Sequence, residues 1–169
     1  MIVVTGATGA VGRPLVALLE DQGVTVRAVT RSAEAGTPTA GVEPVTADLS
    51  RPESLLPALE GASALFVHPR AVGENAGKLL ALAAELGVRR VIALSATNVD
   101  DDPAYQLSRS YGDRNKEVED AVAGRGLPWA AVRANTSAIN EVEQILGRPA
   151  RTFAEWVTDH AHAFRAVAS

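Results

Sequence analysis

The sequence predicts an α/β fold in which a doubly wound parallel sheet of about six strands has helices on both faces. Two observations support this class. Short apolar runs alternate with longer amphipathic stretches from residue 1 to about residue 132, which is typical of repeated βα units. A glycine-rich turn directly follows the first apolar run. Because crossovers between parallel strands are right-handed, the strand order 3-2-1-4-5-6 is favoured.

The strand candidates are short apolar runs with many β-branched residues. They are Ile2–Thr5, Thr25–Thr30, Glu43–Thr46, Ala64–Val67, Val91–Leu94 and Trp129–Val132. The helix candidates between them carry apolar residues at helical spacing and are Pro14–Gln22, Pro52–Leu59, Gly73–Leu86 and Gly112–Ala123. Most of these helices are expected to stop near a glycine, namely Gly23, Gly61, Gly87 or Gly124.

The pattern changes after Arg133. Ile139–Leu146 and Phe153–Phe164 are typical of two helices, separated by Gly147-Arg148-Pro149, and no strand signal follows. We therefore place an α/β domain at residues 1–135. A short C-terminal helical extension at residues 136–169 is expected to pack on that domain or on a partner subunit.

The composition argues against several classes of function. The chain is 47% hydrophobic and 21% charged, and it contains no apolar stretch long enough to span a bilayer. Met1 leads directly into an apolar strand with no basic leader, so we interpret the protein as cytoplasmic and not bound to a membrane. A net charge of −4 argues against a nucleic-acid partner. There is no cysteine, and His160 and His162 are two residues apart on a predicted helix, so no metal site is expected.

The strongest local signal is Thr5-Gly6-Ala7-Thr8-Gly9-Ala10-Val11-Gly12, between the first strand and the first helix. A strand that turns sharply into a helix presents the helix amides and dipole to a pyrophosphate, and glycine lets the phosphate approach closely. The motif opens a unit that reaches a second strand within ~30 residues, as the dinucleotide fingerprint requires. We therefore predict a Rossmann-type domain that binds a dinucleotide through Gly6, Thr8, Gly9, Ala10, Val11 and Gly12.

The end of the second strand predicts which dinucleotide binds. An acid at this point accepts hydrogen bonds from the ribose 2′-hydroxyl of NAD(H), whereas a basic residue accommodates the 2′-phosphate of NADP(H). The residues here are Thr30-Arg31-Ser32, so Arg31 favours NADP(H) over NAD(H). The alternative is that Arg31 is only a solvated loop cation.

Further polar residues follow later strands and are expected to line the crevice at the carboxyl ends of the sheet. Asp48 lies either near the adenine or in a turn before Pro52. His68 is either a ligand contact or an ordinary loop histidine. Ser95 and Thr97 follow the fifth strand and are candidates for ligand contact.

Several motifs together carry a family resemblance. They are Val4 to Gly12, Val26 to Arg31, Ala47-Asp48-Leu49, Val88 to Ser95, and Glu117-Val118-Glu119-Asp120 followed by Gly126-Leu127-Pro128-Trp129. In these motifs, which run in order from residue 1 to about residue 135, the chain resembles NmrA-like, atypical members of the short-chain dehydrogenase/reductase superfamily. Its tail, Glu143–Phe164, is similar to the C-terminus of bacterial members.

The resemblance implies a catalytic Tyr supported by a Lys four residues later on the fifth helix. Alignment on Glu117-Val118-Glu119 places Tyr111 at the Tyr position and Asn115 at the Lys position. Lys116 is then one residue out of register, which on a helix is a rotation of ~100°. The family's Arg-Pro pair after the sixth strand, which leads towards the nicotinamide, reads Arg133-Ala134 here, so Arg133 is a further candidate cofactor contact.

The implied function is that of an NADP(H)-dependent oxidoreductase of a small carbonyl or quinone-type substrate. Tyr111 would exchange the proton, and Ser95 or Thr97 would polarise the carbonyl. Two alternatives stay open, because a fold does not define an activity. One is a non-catalytic dinucleotide-binding sensor or accessory protein, and the other is a short biosynthetic enzyme that performs an isomerisation or a cyclisation.

The resemblance also bears on assembly. Family members are usually longer, and the segment that builds most of their substrate pocket has no counterpart here after the sixth strand. We therefore expect a homodimer that covers an otherwise exposed apolar face. This face is expected near Trp129, Ile139, Leu146, Phe153, Trp156 and Phe164.

Overall fold

The computed structural model of the chain describes residues 1–32, 41–96, 99, 114–134 and 158. Its strands are β1 Ile2–Val4, β2 Val26–Thr30, β3 Val42–Thr46, β4 Ala64–Val67, β5 Arg90–Ala96 and β6 Trp129–Ala134. Its α-helices are α1 Gly12–Asp21, α2 Leu56–Leu59, α3 Pro69–Val72, α4 Ala76–Glu85 and α5 Asn115–Ala123. Two short 3₁₀ segments, Pro52–Leu55 and Gly73–Asn75, lead into α2 and α4.

The six strands form one sheet in the order β3-β2-β1-β4-β5-β6, and every neighbouring pair is parallel. This confirms the predicted fold class and strand order. Val4, the last residue of β1, pairs with Ala28 of β2 on one side and Phe66 of β4 on the other. The chain therefore reverses its direction of winding beside β1, and the carboxyl end of β1 is the switch point at which such folds bind ligands.

The sheet buries a separate apolar layer on each face, because successive side chains of a strand point to opposite sides. On one face, Val3 and Leu65 pack with Leu79 of α4 and with residues of α2 and α5. On the other face, Phe66 and Leu15 of α1 belong to a second cluster, in which both side chains are fully buried. Burial on both faces explains why the central strands read as continuous apolar runs.

Some predicted bounds are wrong in their details. The predicted helix Pro52–Leu59 begins as a 3₁₀ segment and becomes α-helical only from Leu56. Pro57 explains this difference, because it has no N–H to donate to the carbonyl four residues back and its ring crowds that carbonyl. Similarly, the predicted helix Gly73–Leu86 is α-helical only over α4, and the short helix α3 before it was not predicted.

Strand β5 is longer than the predicted Val91–Leu94. It continues through Ser95 and Ala96, which pair with Arg133 and Ala134 of β6. Ser95 therefore lies within the strand and not after it, because the neighbouring β6 supplies backbone partners over its whole length.

The helix-ending glycines are mostly as predicted. Gly23, Gly61 and Gly87 adopt φ values of +69°, +67° and +83°, which side-chain-bearing residues rarely adopt. Gly124 follows α5 with a φ of −72°, and the left-handed residue there is Gly126.

Of the predicted C-terminal extension at residues 136–169, the structure describes only Thr158, so the extension and its boundary stay predictions. Over the described residues, no helix is long and apolar enough to cross a bilayer.

Candidate functional site

The glycine turn after β1 is compact because two of its glycines sit where a side chain does not fit. Gly6 has a φ of +66°, and its carbonyl accepts a hydrogen bond from the Gly9 amide at 3.0 Å. A Cβ on Gly12 would lie 2.1 Å from the Gly6 carbonyl oxygen, so only glycine allows α1 to start this close to the turn. Thr8, Gly9 and Ala10 are exposed at the top of the turn. At the start of α1 itself, Gly12 is buried, the Arg13 amide donates to the Gly9 carbonyl at 3.1 Å and Pro14 has no N–H. A ligand would therefore meet the exposed turn residues before it meets α1.

Thr5 connects this turn to the end of β4. Its side chain is fully buried. The hydroxyl donates to the Phe66 carbonyl at 3.0 Å and accepts from the His68 amide at 2.8 Å. Thr5 was predicted only as part of the glycine motif, and this role could not be read from the sequence because its partners lie more than 60 positions away along the chain.

A cavity of about 260 Å³ opens beside the glycine turn. It is lined by Gly6, Thr8, Gly9, Val29, Thr30, Arg31, Leu49, His68, Arg70 and Ala71. These residues come from the carboxyl ends of β1 to β4 and the segments that follow them. The cavity therefore combines Gly6, Thr8 and Gly9 of the predicted pyrophosphate site with the predicted cofactor contacts Arg31 and His68.

The lining of this cavity is cationic. It includes the exposed guanidinium-bearing residues Arg31 and Arg70, and none of the described residues that line it is acidic. Arg70 was not predicted as a site residue, although its position directly after His68-Pro69 was a signal that could have found it. A concave site with two cations is suited to a ligand that carries more than one negative charge.

His68 lies at the base of the cavity, half-buried against the glycine turn. A Cβ on Gly6 would lie 3.1 Å from His68 Cβ, so the two residues are in close contact. The His68 Nδ1 atom is buried and has no hydrogen-bond partner among the described residues. Burial, and secondarily the charge of Arg70, lowers the pKa of His68 below its ordinary value. The imidazole is therefore neutral at pH 7.

Asp48 lies outside the cavity lining, although its neighbour Leu49 belongs to it. The Asp48 carboxylate accepts hydrogen bonds from the Ser50 hydroxyl at 2.6 Å and the Ser50 amide at 3.0 Å. The Ser50 hydroxyl and then its amide are the main causes of a lowered pKa for this carboxyl group, and Arg51 contributes further. These contacts favour the turn interpretation of Asp48, and its contact with an adenine stays a prediction.

Ser95 is 3% exposed, and its hydroxyl has no hydrogen-bond partner among the described residues. By strand alternation, it shares a face of β5 with Val91 and Ala93, which pack in the cluster that includes α5 residue Val118. A buried hydroxyl without a partner costs about 1–3 kcal/mol. Ser95 is not among the described residues that line the cavity, so its contact with a ligand stays a prediction.

Arg133 of β6, which pairs with Ser95 of β5, is held by α5. Its guanidinium donates two hydrogen bonds to the Glu119 carboxylate, Nε to Oε1 at 3.1 Å and Nη2 to Oε2 at 2.7 Å. Glu119 is only 5% exposed. This bidentate pair fixes β6 to α5, and any contact between Arg133 and a cofactor stays a prediction.

The residues predicted to perform proton transfer are only partly described. Asn115 is the first residue of α5. The ammonium group of Lys116 forms an ion pair with Asp120 one turn along the same helix. Tyr111 and Thr97 lie outside the described residues. The catalytic roles of Tyr111, Ser95, Thr97 and Asn115 are therefore proposals.

Comparisons with known proteins agree with this geometry. A family model for NAD(P)H-binding proteins matches residues 6–159. The (4-alkanoyl-5-oxo-2,5-dihydrofuran-3-yl)methyl phosphate reductase of Streptomyces griseus is 37% identical over 140 residues, which make up 80% of this chain and 48% of that protein. The NAD(P)H azoreductase of Xenophilus azovorans is 27% identical over 138 residues, or 79% of this chain and 47% of that protein.

Among solved structures, an NADPH-dependent quinone oxidoreductase from Escherichia coli, complexed with NADPH, superposes with a TM-score of 0.66. It is 22% identical, and the match covers 79% of this chain and 48% of that one. This likeness shows the fold. The chain spans about half the length of the curated relatives it matches.

The glycine turn, the cavity beside it and the family match over residues 6–159 lead to the same assignment. They confirm the resemblance to Rossmann-type NAD(P)-binding proteins expected from the motifs. The chain belongs to the NAD(P)H-binding family.

Proposed function

We propose that this chain holds the NADP(H) site of an oxidoreductase that reduces a small carbonyl or quinone-type substrate. The observation that carries the choice of NADP(H) is Arg31, which lines the cavity at the end of β2 where NAD(H)-specific proteins place an acid. The Thr30 hydroxyl donates to the Ser32 carbonyl at 2.7 Å and so closes the chain around Arg31. The exposed guanidinium is left available for a 2′-phosphate.

The named relatives support reductase activity. One is a furanyl methyl phosphate reductase, one is an azoreductase, and the structural neighbour is a quinone oxidoreductase. Each name describes the reduction of an organic substrate. The carbonyl or quinone class is our inference for this chain, because Ser95 supplies a buried hydroxyl with no partner among the described residues.

In such a reduction, different residues of the chain bind the cofactor, hydrogen-bond the substrate and transfer the proton. The glycine turn and Arg31 hold the dinucleotide. When bound, NADPH supplies a hydride. The Ser95 hydroxyl donates a hydrogen bond to the substrate carbonyl oxygen, and Thr97 is an alternative donor. Tyr111 delivers the proton to the oxygen that gains negative charge.

A second candidate is dinucleotide binding without hydride transfer. The observation that favours it is Asn115, which stands where the resemblance implies a lysine, while Lys116 is paired with Asp120. A tyrosine with no adjacent cation keeps a pKa near 10 and exchanges its proton slowly at neutral pH. The two candidates share the cofactor site and differ only in turnover.

Titration calorimetry with NADPH and NADH, followed by assays of NADPH oxidation, tests both. We expect tighter binding of NADPH than of NADH, and oxidation of NADPH in the presence of quinones or small carbonyl compounds. Binding of NADPH without turnover on any member of such a panel would support the second candidate. Equal affinity for both dinucleotides would contradict the assignment of Arg31.

We also propose that the protein is a homodimer that acts on a small-molecule substrate. Trp129 begins β6, which among the described strands pairs only with β5, and 41% of this residue is exposed. An indole at a sheet edge is typical of a contact surface. The other residues of the predicted apolar face lie outside the described residues.

A further inference from the structure

The cavity beside the glycine turn has one cation on each side of β1. Arg31 follows β2, and Arg70 lies in α3, directly after β4. β2 and β4 are the two strands that pair with β1. The elements that carry the two guanidinium groups therefore lie on opposite sides of β1 and of the turn that carries Gly6 and Gly9.

Both cations are available to a ligand. Arg31 and Arg70 are exposed, and neither forms an ion pair with another of the described residues. Asp48, which directly precedes the lining residue Leu49, is occupied by Ser50 and Arg51. No described residue of the cavity lining therefore neutralises these two positive charges.

We propose that Arg70 binds the pyrophosphate of the dinucleotide, the charge common to NADP(H) and NAD(H), whereas Arg31 binds the 2′-phosphate that only NADP(H) carries. The proposal rests on the proposed NADP(H) site and adds a residue that neither the sequence nor the comparisons assign. In this arrangement, Arg70 affects the affinity for both dinucleotides and Arg31 affects the affinity for NADP(H) alone.

Topology assigns the two roles. A dinucleotide lies across the switch point of a doubly wound sheet with its pyrophosphate over the turn after the first strand. Its adenosine half extends towards β2 and β3, where Arg31 lies. Arg70 is on the opposite side, two residues after His68, and His68 is in close contact with Gly6 at the start of the turn.

On the β4 side of the cavity, which His68 and Arg70 line, the positive charge comes from Arg70. His68 is neutral at pH 7 because its burial disfavours the charged form. A guanidinium group has a planar set of donors that matches two phosphate oxygens and is charged at all relevant pH values. Arg70 is therefore the residue on the β4 side whose positive charge would act together with the positive N-terminal end of the α1 dipole on the pyrophosphate.

Calorimetry on four forms of the full chain tests this division: the unchanged protein, Arg70→Ala, Arg31→Ala and Arg89→Ala. Arg89 is an exposed arginine just before β5, at the amino ends of the strands and away from the cavity at their carboxyl ends, and its variant controls for the loss of one positive charge. We expect Arg70→Ala to weaken NADPH and NADH by a similar factor of about ten or more, as for a lost charge-assisted hydrogen bond. Arg31→Ala should weaken NADPH alone, and Arg89→Ala should change neither affinity.

Nucleotide fragments locate the contact directly. Arg70→Ala should weaken ADP, which has a diphosphate, more than AMP, which has only one phosphate. Arg70→Lys should restore part of the affinity, because it keeps the charge but loses the bidentate geometry. Far-ultraviolet circular dichroism and urea midpoints show that each variant is folded.

The possible results separate the inference from the proposed function. Unchanged affinities in Arg70→Ala, or a loss confined to NADPH, would overturn the role of Arg70 and leave the NADP(H) site intact. An unchanged protein that binds neither dinucleotide would overturn the proposed function and this inference together. A loss in Arg31→Ala that is equal for both dinucleotides would contradict the assignment of Arg31 only.

Discussion

The Thr5 hydroxyl accepts a hydrogen bond from the His68 amide at 2.8 Å and donates one to the Phe66 carbonyl at 3.0 Å. One buried hydroxyl thus connects the residue that begins the glycine turn with the start of α3. His68 and Arg70 reach the cavity from this same segment. The hydrogen bonds therefore fix the position of one wall of the site relative to the pyrophosphate turn.

Thr5→Val should disrupt this connection. Valine has nearly the same shape but leaves the His68 amide without its acceptor, so the free energy of unfolding should fall by about 1–3 kcal/mol. Urea denaturation measures the change, and calorimetry should show weaker NADPH binding. Thr5→Ser keeps the hydroxyl and serves as the matched control. Equal stability of the valine and serine variants would show that the hydrogen bonds contribute little.

Gly9→Val should abolish binding of NADPH and NADH. Gly9 is exposed at the top of the turn, where a branched side chain would occupy the space that the pyrophosphate needs. Calorimetry measures the affinity. Gly77→Val in α4, where an added Cβ meets only the end of the Arg125 side chain at 3.9 Å, makes the same substitution away from the cavity. If Gly9→Val retains its affinity for NADPH, the glycine turn is not the pyrophosphate site.

His68 should make stability depend on pH. Because burial lowers the pKa of His68 in the folded state, only the unfolded chain takes up a proton as the pH falls below about 6.5. The free energy of unfolding should therefore be constant with respect to this group above that pH. Below it, stability should decline until the folded pKa is reached, with a slope of at most about 1.4 kcal/mol per pH unit.

Urea denaturation of the unchanged protein and of His68→Gln between pH 5 and pH 8 isolates this contribution from that of the other two histidines. The difference in stability between the two proteins should shift in favour of the variant as the pH falls. Parallel curves would mean that the folded protein protonates His68 as easily as the unfolded chain does.

Asn115→Lys should increase reductase activity. A lysine at this position on α5 would place a cation where the resemblance implies one, and so lower the pKa of Tyr111 and speed proton transfer. The unchanged protein should be a weak reductase, and Tyr111→Phe should be weaker still, with NADPH affinity retained in both variants. Rapid reduction by the unchanged protein that is indifferent to Tyr111→Phe would exclude this tyrosine as the proton donor.

Light scattering should give the mass of a dimer, about twice 17.6 kDa. Trp129→Glu should shift the population towards monomer, because a carboxylate would replace the exposed indole at the edge of the sheet. Leu56→Glu, at the other exposed large apolar residue of the described part, is the control. A monomeric mass for the unchanged protein at high concentration would contradict the expected assembly.

The sequence by itself determined the order of elements, the strand arrangement and the glycine turn. These features depend on local patterns: side-chain periodicity, glycine spacing and the handedness of crossovers. Arg31 was also predictable, because it directly follows β2 in the chain. Its neighbours in sequence were enough to place it at the carboxyl end of the sheet.

Only the tertiary structure decided which polar groups meet. Arg70 joins Arg31 in one cavity because β4 lies beside β1, although the two residues are far apart in the chain. Glu119 binds Arg133 because α5 packs beside β6. Parallel alignment sets such long-range contacts, so they depend on how the elements pack and cannot be read from the spacing of residues within any one of them.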